Sequence, residues 1–160
     1  MPDLHSDSTA SNTDIRSRQR WMGVLARAAE NELEMHWAAH GQGAEYDVLR
    51  EPESGLVMVR GRAGGNGQRF NLGEMTVTRC SVRLGDGTVG HAYVAGRDRR
   101  RAELAAAFDA LLQTPSRHED IQSRVIAPLA TKYLAARTER SRKAAATKVD
   151  FFTLVRGEDE

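Results

Sequence analysis

The dipeptide Asp86-Gly87 stands between two stretches, 69–84 and 89–95, that carry apolar residues in alternation. Asp-Gly is a strong hairpin signal, because both residues tolerate the positive φ of a tight turn. An antiparallel sheet is therefore part of the fold. A two-residue loop here pairs Leu84 with Val89, Val82 with His91 and Cys80 with Tyr93, all on one mostly apolar face. Met75 and Val77 hold the opposite parity, so the apolar face switches near Thr78-Arg79. A bulge, or a strand covered on both sides, produces such a switch. Upstream, 46–50 and the apolar run 56–59 read as two more strands, parted by a turn at Pro52-Glu53-Ser54-Gly55. The expectation is a four-stranded antiparallel meander.

Helices flank it. Asp14 suits an N-cap for a helix bearing Ile15, Trp21, Met22 and Leu25, and Leu33 and Trp37 mark a second helical piece ending at Gly41-Gln42-Gly43. Asp98 suits the N-cap of a third, whose Leu104, Phe108, Leu111 and Leu112 form an i, i+4, i+7, i+8 stripe. Ser116 with Glu119 predicts a capping box, with Ile121 and Val125 turned inward. Pro128 predicts a break or kink before a basic, Ala-rich helix over 129–146. The fold class expected is α+β: N-terminal helices, a four-stranded antiparallel meander, C-terminal helices and an extended apolar tail.

With 160 residues, 40% of them hydrophobic, 28% charged and a net charge of +1, the chain has the makings of one domain of the usual ~100–200 residues. We expect a disordered leader over 1–13 and a single domain over 14–157, with a partner-docking tail at 149–157. In that tail Val149, Phe151, Phe152 and Leu154 are too apolar to remain solvated. Cys80 is the sole cysteine, which rules out an internal disulfide framework and fits a reducing, cytoplasmic setting. No apolar run approaches the ~18 residues of a membrane span.

Charge is unevenly placed. Residues 114–148 hold eight basic and three acidic side chains, and Arg97-Asp98-Arg99-Arg100-Arg101 is a second basic knot. Cations in a helix's first turn oppose its dipole at ~0.3–1 kcal/mol each. Arg97, Arg99, Arg100 and Arg101 are thus candidates for binding a phosphate or an acidic partner surface. Arg79 is another, since an arginine at an apolar edge seeks a carboxylate or phosphate; Glu74, Asp98 and Glu103 are the internal alternatives. The loop Gly61-Arg62-Ala63-Gly64-Gly65-Asn66-Gly67-Gln68-Arg69 lacks the Gly-Lys-Ser/Thr ending of a phosphate loop and lies between strands, so it reads as a hairpin turn. Glu32, His36 and His40 share a helical face, but no His-Glu-x-x-His or cysteine pair supports a metal, and none is assigned. His91 reads as a hydrogen-bonded core or interface histidine, and Cys80 as a small buried hydrophobe. No nucleophile–base constellation emerges, so the catalytic residues, if any, are unknown.

Several strings together carry a resemblance: Arg20-Trp21-Met22-Gly23-Val24-Leu25, Glu53-Ser54-Gly55-Leu56-Val57, Gly64-Gly65-Asn66-Gly67-Gln68-Arg69-Phe70, Thr76-Val77-Thr78-Arg79, Asp86-Gly87-Thr88-Val89-Gly90, Gly96-Arg97-Asp98 and 149–157. In these the chain resembles the PhnG family, the G subunits of the bacterial carbon–phosphorus lyase core complex. The resemblance covers nearly everything after the leader. It implies a hetero-oligomer with H, I and J subunits, joined transiently by an L subunit. It further implies a part in phosphonate catabolism, in which methylphosphonate displaces adenine from the ribose anomeric carbon of ATP. ATP, with Mg, is then a substrate of the complex; the resemblance places no cofactor on this chain and carries over no catalytic residue. A basic nucleic-acid-binding module using the 129–148 helix is the rival. Only 6% aromatic content, no recognised binding motif and near-balanced charge speak against it. A self-sufficient small enzyme is the third reading, and it lacks a constellation.

Overall fold

The computed structural model describes residues 6–62 and 66–146, with side chains from Asp14 onward. The tail expected to dock a partner, with Val149, Phe151, Phe152 and Leu154, lies outside the described residues. In chain order the elements are α1 (Ser6–Leu25), α2 (Glu30–His40), β1 (Tyr46–Arg62), β2 (Arg69–Leu84), β3 (Val89–Ala95), α3 (Arg99–Gln113), α4 (Pro115–Ile121) and α5 (Ala127–Ala146). A π-helical turn, Gln122–Ile126, joins the last two helices. The class is α+β, as the periodicities imply. α1 begins eight residues ahead of Asp14, the expected N-cap; no glycine or proline interrupts 6–13. Ile15 is exposed rather than turned inward with Trp21 and Leu25.

The sheet has three strands among the described residues, not four, in the order β1-β2-β3, all antiparallel. The turn expected at Pro52-Glu53-Ser54-Gly55 does not form. β1 passes through it as one strand, with register shifts between Val48 and Arg50 and between Arg50 and Glu53. β1 pairs with β2 alone, so Pro52 sits on an edge strand beside an irregularity, where its missing N–H removes no ladder bond that the sheet requires. Gly55 likewise keeps an ordinary negative φ there.

The β2–β3 hairpin also differs from expectation, by one residue. Leu84 N donates to Thr88 O (2.9 Å), Gly87 N donates to Leu84 O (2.9 Å), and Gly87 has φ +89°. The loop is thus the three residues Gly85-Asp86-Gly87, a turn closed by a left-handed glycine. Val82 pairs with Gly90, Ser81 with His91 and Arg79 with Tyr93. A slip of one residue reverses every side chain of β3. Gly90, Ala92 and Val94, and not Val89, His91 and Tyr93, share the buried face with Thr78, Cys80, Val82 and Leu84.

That face is covered by α3. The expected stripe is buried, and so are Ala102, Ala105, Ala106, Ala107 and Ala110 between its members. Small side chains let the helix lie close: a β-carbon on Gly90 would sit 2.0 Å from Ala106 O. α1 and α2 close the other side of α3 with Trp21, Leu25 and Leu33, and Trp37 meets Phe108 edge-on at 5.3 Å between ring centres. Ile121 and Val125 are buried as expected. The Ser116–Glu119 capping box is not formed, because α4 starts at Pro115 with Thr114 in the cap position. Pro128 causes no break. The π turn immediately before it absorbs the missing hydrogen bond, and α5 continues to Ala146.

Candidate functional site

The N-terminus of α3 gathers most of the arginines singled out by the sequence. Asp98 caps the helix, its Oδ1 accepting from Arg101 N at 2.9 Å. Arg100 reaches Glu103 at 3.2 Å and Glu34 at 3.7 Å. Arg101 donates to Ala95 O and lies 3.7 Å from Asp98 Oδ2. The cationic first turn is thus offset by the protein's own carboxylates and carbonyl. Arg97 and Arg99 are exposed and make no ion pair among the described residues. Next to this turn Tyr46 donates to Glu103 Oε1 at 2.6 Å, and burial with that carboxylate pushes its phenol up to about 12.

Arg79 lies elsewhere, on the sheet face away from α3. Its Nε donates to Glu53 Oε1 at 2.7 Å, and Arg50 donates to the same oxygen at 2.6 Å. Hydrogen bonds from Arg50 and Arg79 hold the Glu53 carboxyl below its ordinary range. The internal partner is therefore Glu53, which pairs with Arg79 across β1 and β2, and not Glu74, Asp98 or Glu103. On the same face His91 Nδ1 lies 2.8 Å from Ser81 Oγ. The two-residue loop hid this contact by turning His91 inward. A serine–imidazole pair has nucleophilic potential only when a third group orients the base. Among the described residues no carboxylate does so here, and the pair acts as a cross-strand polar contact.

The helical side holds one buried ionic centre that the sequence reading missed. Asp109, fully buried, accepts from Arg18 Nη2 (2.7 Å) and Nε (3.2 Å), Trp21 Nε1 (2.9 Å) and His91 N (2.9 Å). With every donor turned on it and no exposure, it joins α1, α3 and β3 and offers nothing to a substrate. A cleft of about 810 Å³ opens beside it between α1, α4 and α5, with Arg20, Trp21, Arg27, His118, Gln122 and Tyr133 on its walls. The Arg27 guanidinium stacks 4.8 Å from the Tyr133 ring centre, and His118 Nδ1 contacts Leu112 O at 2.7 Å. Glu32 is engaged by Lys132 and by Ala29 N, while His36 and His40 stack on one another. Cys80 is buried; desolvation pushes its thiol up to about 11, which suits a packing role.

Likeness to known proteins narrows what these surfaces belong to. Residues 16–157 match the family model of the phosphonate metabolism protein PhnG. The chain belongs to the PhnG family. A PhnG relative, the alpha-D-ribose 1-methylphosphonate 5-triphosphate synthase subunit PhnG of Rhizobium meliloti (strain 1021), is 44% identical over 156 residues, covering 98% of this chain and 99% of that one. The chain is thus a phosphonate metabolism protein of PhnG type. The PhnG match takes in Arg79, the α3 arginines and 149–157 alike, and omits the segment before Arg16.

Proposed function

We propose that this chain is the G subunit of a multi-subunit transferase, alpha-D-ribose 1-methylphosphonate 5-triphosphate synthase, within the carbon–phosphorus lyase core complex. In that complex it supports transfer of methylphosphonate to the ribose anomeric carbon of ATP, with release of adenine. Its partners are the H, I and J subunits and transiently the L subunit, and the setting is the cytoplasm. The observation that carries this reading is identity of 44% along essentially the whole of both chains to a relative named as a subunit of that synthase. Among the described residues no helix is long and apolar enough to cross a membrane. Of the four arginines at the start of α3, Arg97 and Arg99 are the ones left available for an acidic partner or a nucleotide phosphate.

The role is that of an organising subunit. The acid–base groups in contact with one another are occupied: Asp109 by Arg18 and Trp21, Glu53 by Arg50 and Arg79, Glu103 by Tyr46 and Arg100. The test is genetic. A strain lacking this chain but retaining the other subunits should fail to grow with methylphosphonate as its sole phosphorus source and should recover when the chain is supplied. Unimpaired growth of the deleted strain would exclude the proposed role.

A further inference from the structure

α5 spans 20 residues, and of these only Leu129 is buried. A helix draws most of its stability from a packed apolar face, yet here Leu134 is 58% exposed. Arg27 and Ala28 of α1 sit by Tyr133, Ala136 and Arg140, while Ser17 and Arg20 sit by His118 and Gln122. α1 therefore runs alongside the line of α4 and α5 in the same direction, and the cleft of about 810 Å³ is a trough between them. Trp21 and Ile126, both buried, form its floor, and Leu134 stands at its rim. Arg20 and Arg27 lie on its walls, and no carboxylate does. Arg20 donates to Ser17 Oγ at 3.1 Å and Arg27 to Gly23 O, so among the described residues neither charge has an acidic partner.

The chain itself supplies a segment that matches the trough in reach, polarity and charge. Residues 147–160 follow α5; Val149, Phe151, Phe152, Leu154 and Val155 are apolar, and Asp150, Glu158, Asp159 and Glu160 outnumber Lys148 and Arg156. A helix rises ~1.5 Å per residue and an extended chain ~3.3 Å, so a segment doubling back from Ala146 passes about two helical residues for each of its own. Phe151 and Phe152 then draw level with Leu134 and Tyr133, and Leu154 and Val155 with Ala130 and Ile126. Asp150 falls at the near end, by Arg27 and Arg140, and 158–160 at the far end, by Arg20. Side chains of an extended chain alternate. Phe151 and Val155 thus face one wall of the trough, and Phe152 and Leu154 the other.

We propose that residues 149–155 lie in the trough of their own chain and strap α5 to α1, with the acidic residues at 158–160 directed to Arg20. Apolar burial holds the strap, and the arginines set its direction. So short a tether gives the segment an effective concentration of about millimolar at the trough. A second copy at micromolar concentration competes poorly with that. The strap is independent of the subunit role proposed above, which stands whether or not the segment lies here.

The experiment is disulfide cross-linking in the full-length chain, whose own Cys80 is buried. Leu134→Cys/Phe152→Cys is compared with Ala135→Cys/Phe152→Cys; Ala135 is exposed one position along α5 and lies off the walls of the trough. Under mild oxidation the Leu134 pair should close within one chain about 10-fold or more faster than the Ala135 pair, at a rate independent of protein concentration. Adding Arg20→Glu/Arg27→Glu should slow it. Equal rates for the two pairs overturn the strap. Linkage between two chains that quickens with concentration overturns the chain's own trough as the seat. Hydrogen exchange gives a second reading that needs no cysteine. Phe151→Asp/Phe152→Asp should speed exchange of the α5 amides over 130–140 about 10-fold or more and leave those of α3 unchanged. Unchanged exchange in α5 likewise overturns the strap.

Discussion

Arg18 Nη2 lies 2.7 Å from Asp109 Oδ2, joining α1 to α3 across 91 positions of sequence, and the same carboxylate takes the Trp21 indole and the His91 backbone N–H. A buried charge with several donors stabilises only as a set. Asp109→Ala should therefore cost about 3–5 kcal/mol, since it strands a guanidinium and two N–H donors beside the core. Arg18→Ala in the same background should add far less than it costs alone. Urea unfolding of the two single variants and the double variant checks this. A loss below ~1 kcal/mol for Asp109→Ala would show that the centre contributes little.

Gly90 makes a second, steric prediction. Its α-carbon lies against α3 so closely that a β-carbon would stand 2.0 Å from Ala106 O and 2.6 Å from Ala110 N. Neither backbone atom can yield without moving the helix. Gly90→Ala should destabilise the fold by about 1–3 kcal/mol or more. Gly55→Ala, where nothing lies within 4 Å, should be neutral within ~0.5 kcal/mol. Comparable losses at both sites would contradict the close packing of α3 on β3.

Titration should report the local environments. Tyr46, pushed up from 10.0 to about 12, keeps its proton in the folded chain after the unfolded chain has lost it. Its contribution to stability is present below pH 10 and is lost as pH rises from there towards 12. Absorbance of tyrosinate should show one of the three tyrosines ionising late, and Tyr46→Phe should remove that step. At the acid side, burial and the neighbouring His40 push His36 below its ordinary 6.5. Its contribution is present above that value and is lost as pH falls through it, so His36→Gln should flatten the decline. Cys80, buried with a thiol near 11, should react with a thiol reagent only on unfolding.

The helices and their inward stripes were legible because their signals are local. Asp98 as cap, the spacing of Leu104, Phe108, Leu111 and Leu112, and Gly41 at the end of α2 each depend on residues within a turn or two. The sheet was legible in class but not in register. Asp86-Gly87 announces a hairpin, yet whether Gly85 joins the loop is decided by which faces of β2 and β3 meet α3, and alternation in β2 alone cannot count that residue. Pro52 and Gly55 read as a turn because a sequence does not say which strand lies at an edge. Asp109 was invisible for another reason. It sits in an apolar helix where only Gln113, one turn on, reaches its carboxylate, at 3.4 Å, and its charged partner is 91 residues away. Arg79 was legible as an arginine in need of a carboxylate, but that carboxylate, Glu53, stood in a segment read as a turn.

The exposed and engaged arginines should separate by mutation. Arg97→Ala and Arg99→Ala should change stability by less than ~0.5 kcal/mol. Arg101→Ala, which loses a carbonyl contact and an ion pair at the α3 cap, should cost about 1 kcal/mol or more. Thermal unfolding of the three variants checks the order, and equal effects would contradict it.

The central claim is that this chain serves phosphonate transfer only as part of an assembly. Adenine release from ATP and methylphosphonate by the reconstituted subunits, measured with this chain present, absent and alone, tests it most directly. The account predicts release when the chain is present, none when it is omitted, and none from the chain by itself. Undiminished release without it, or turnover by the isolated chain, would contradict the account.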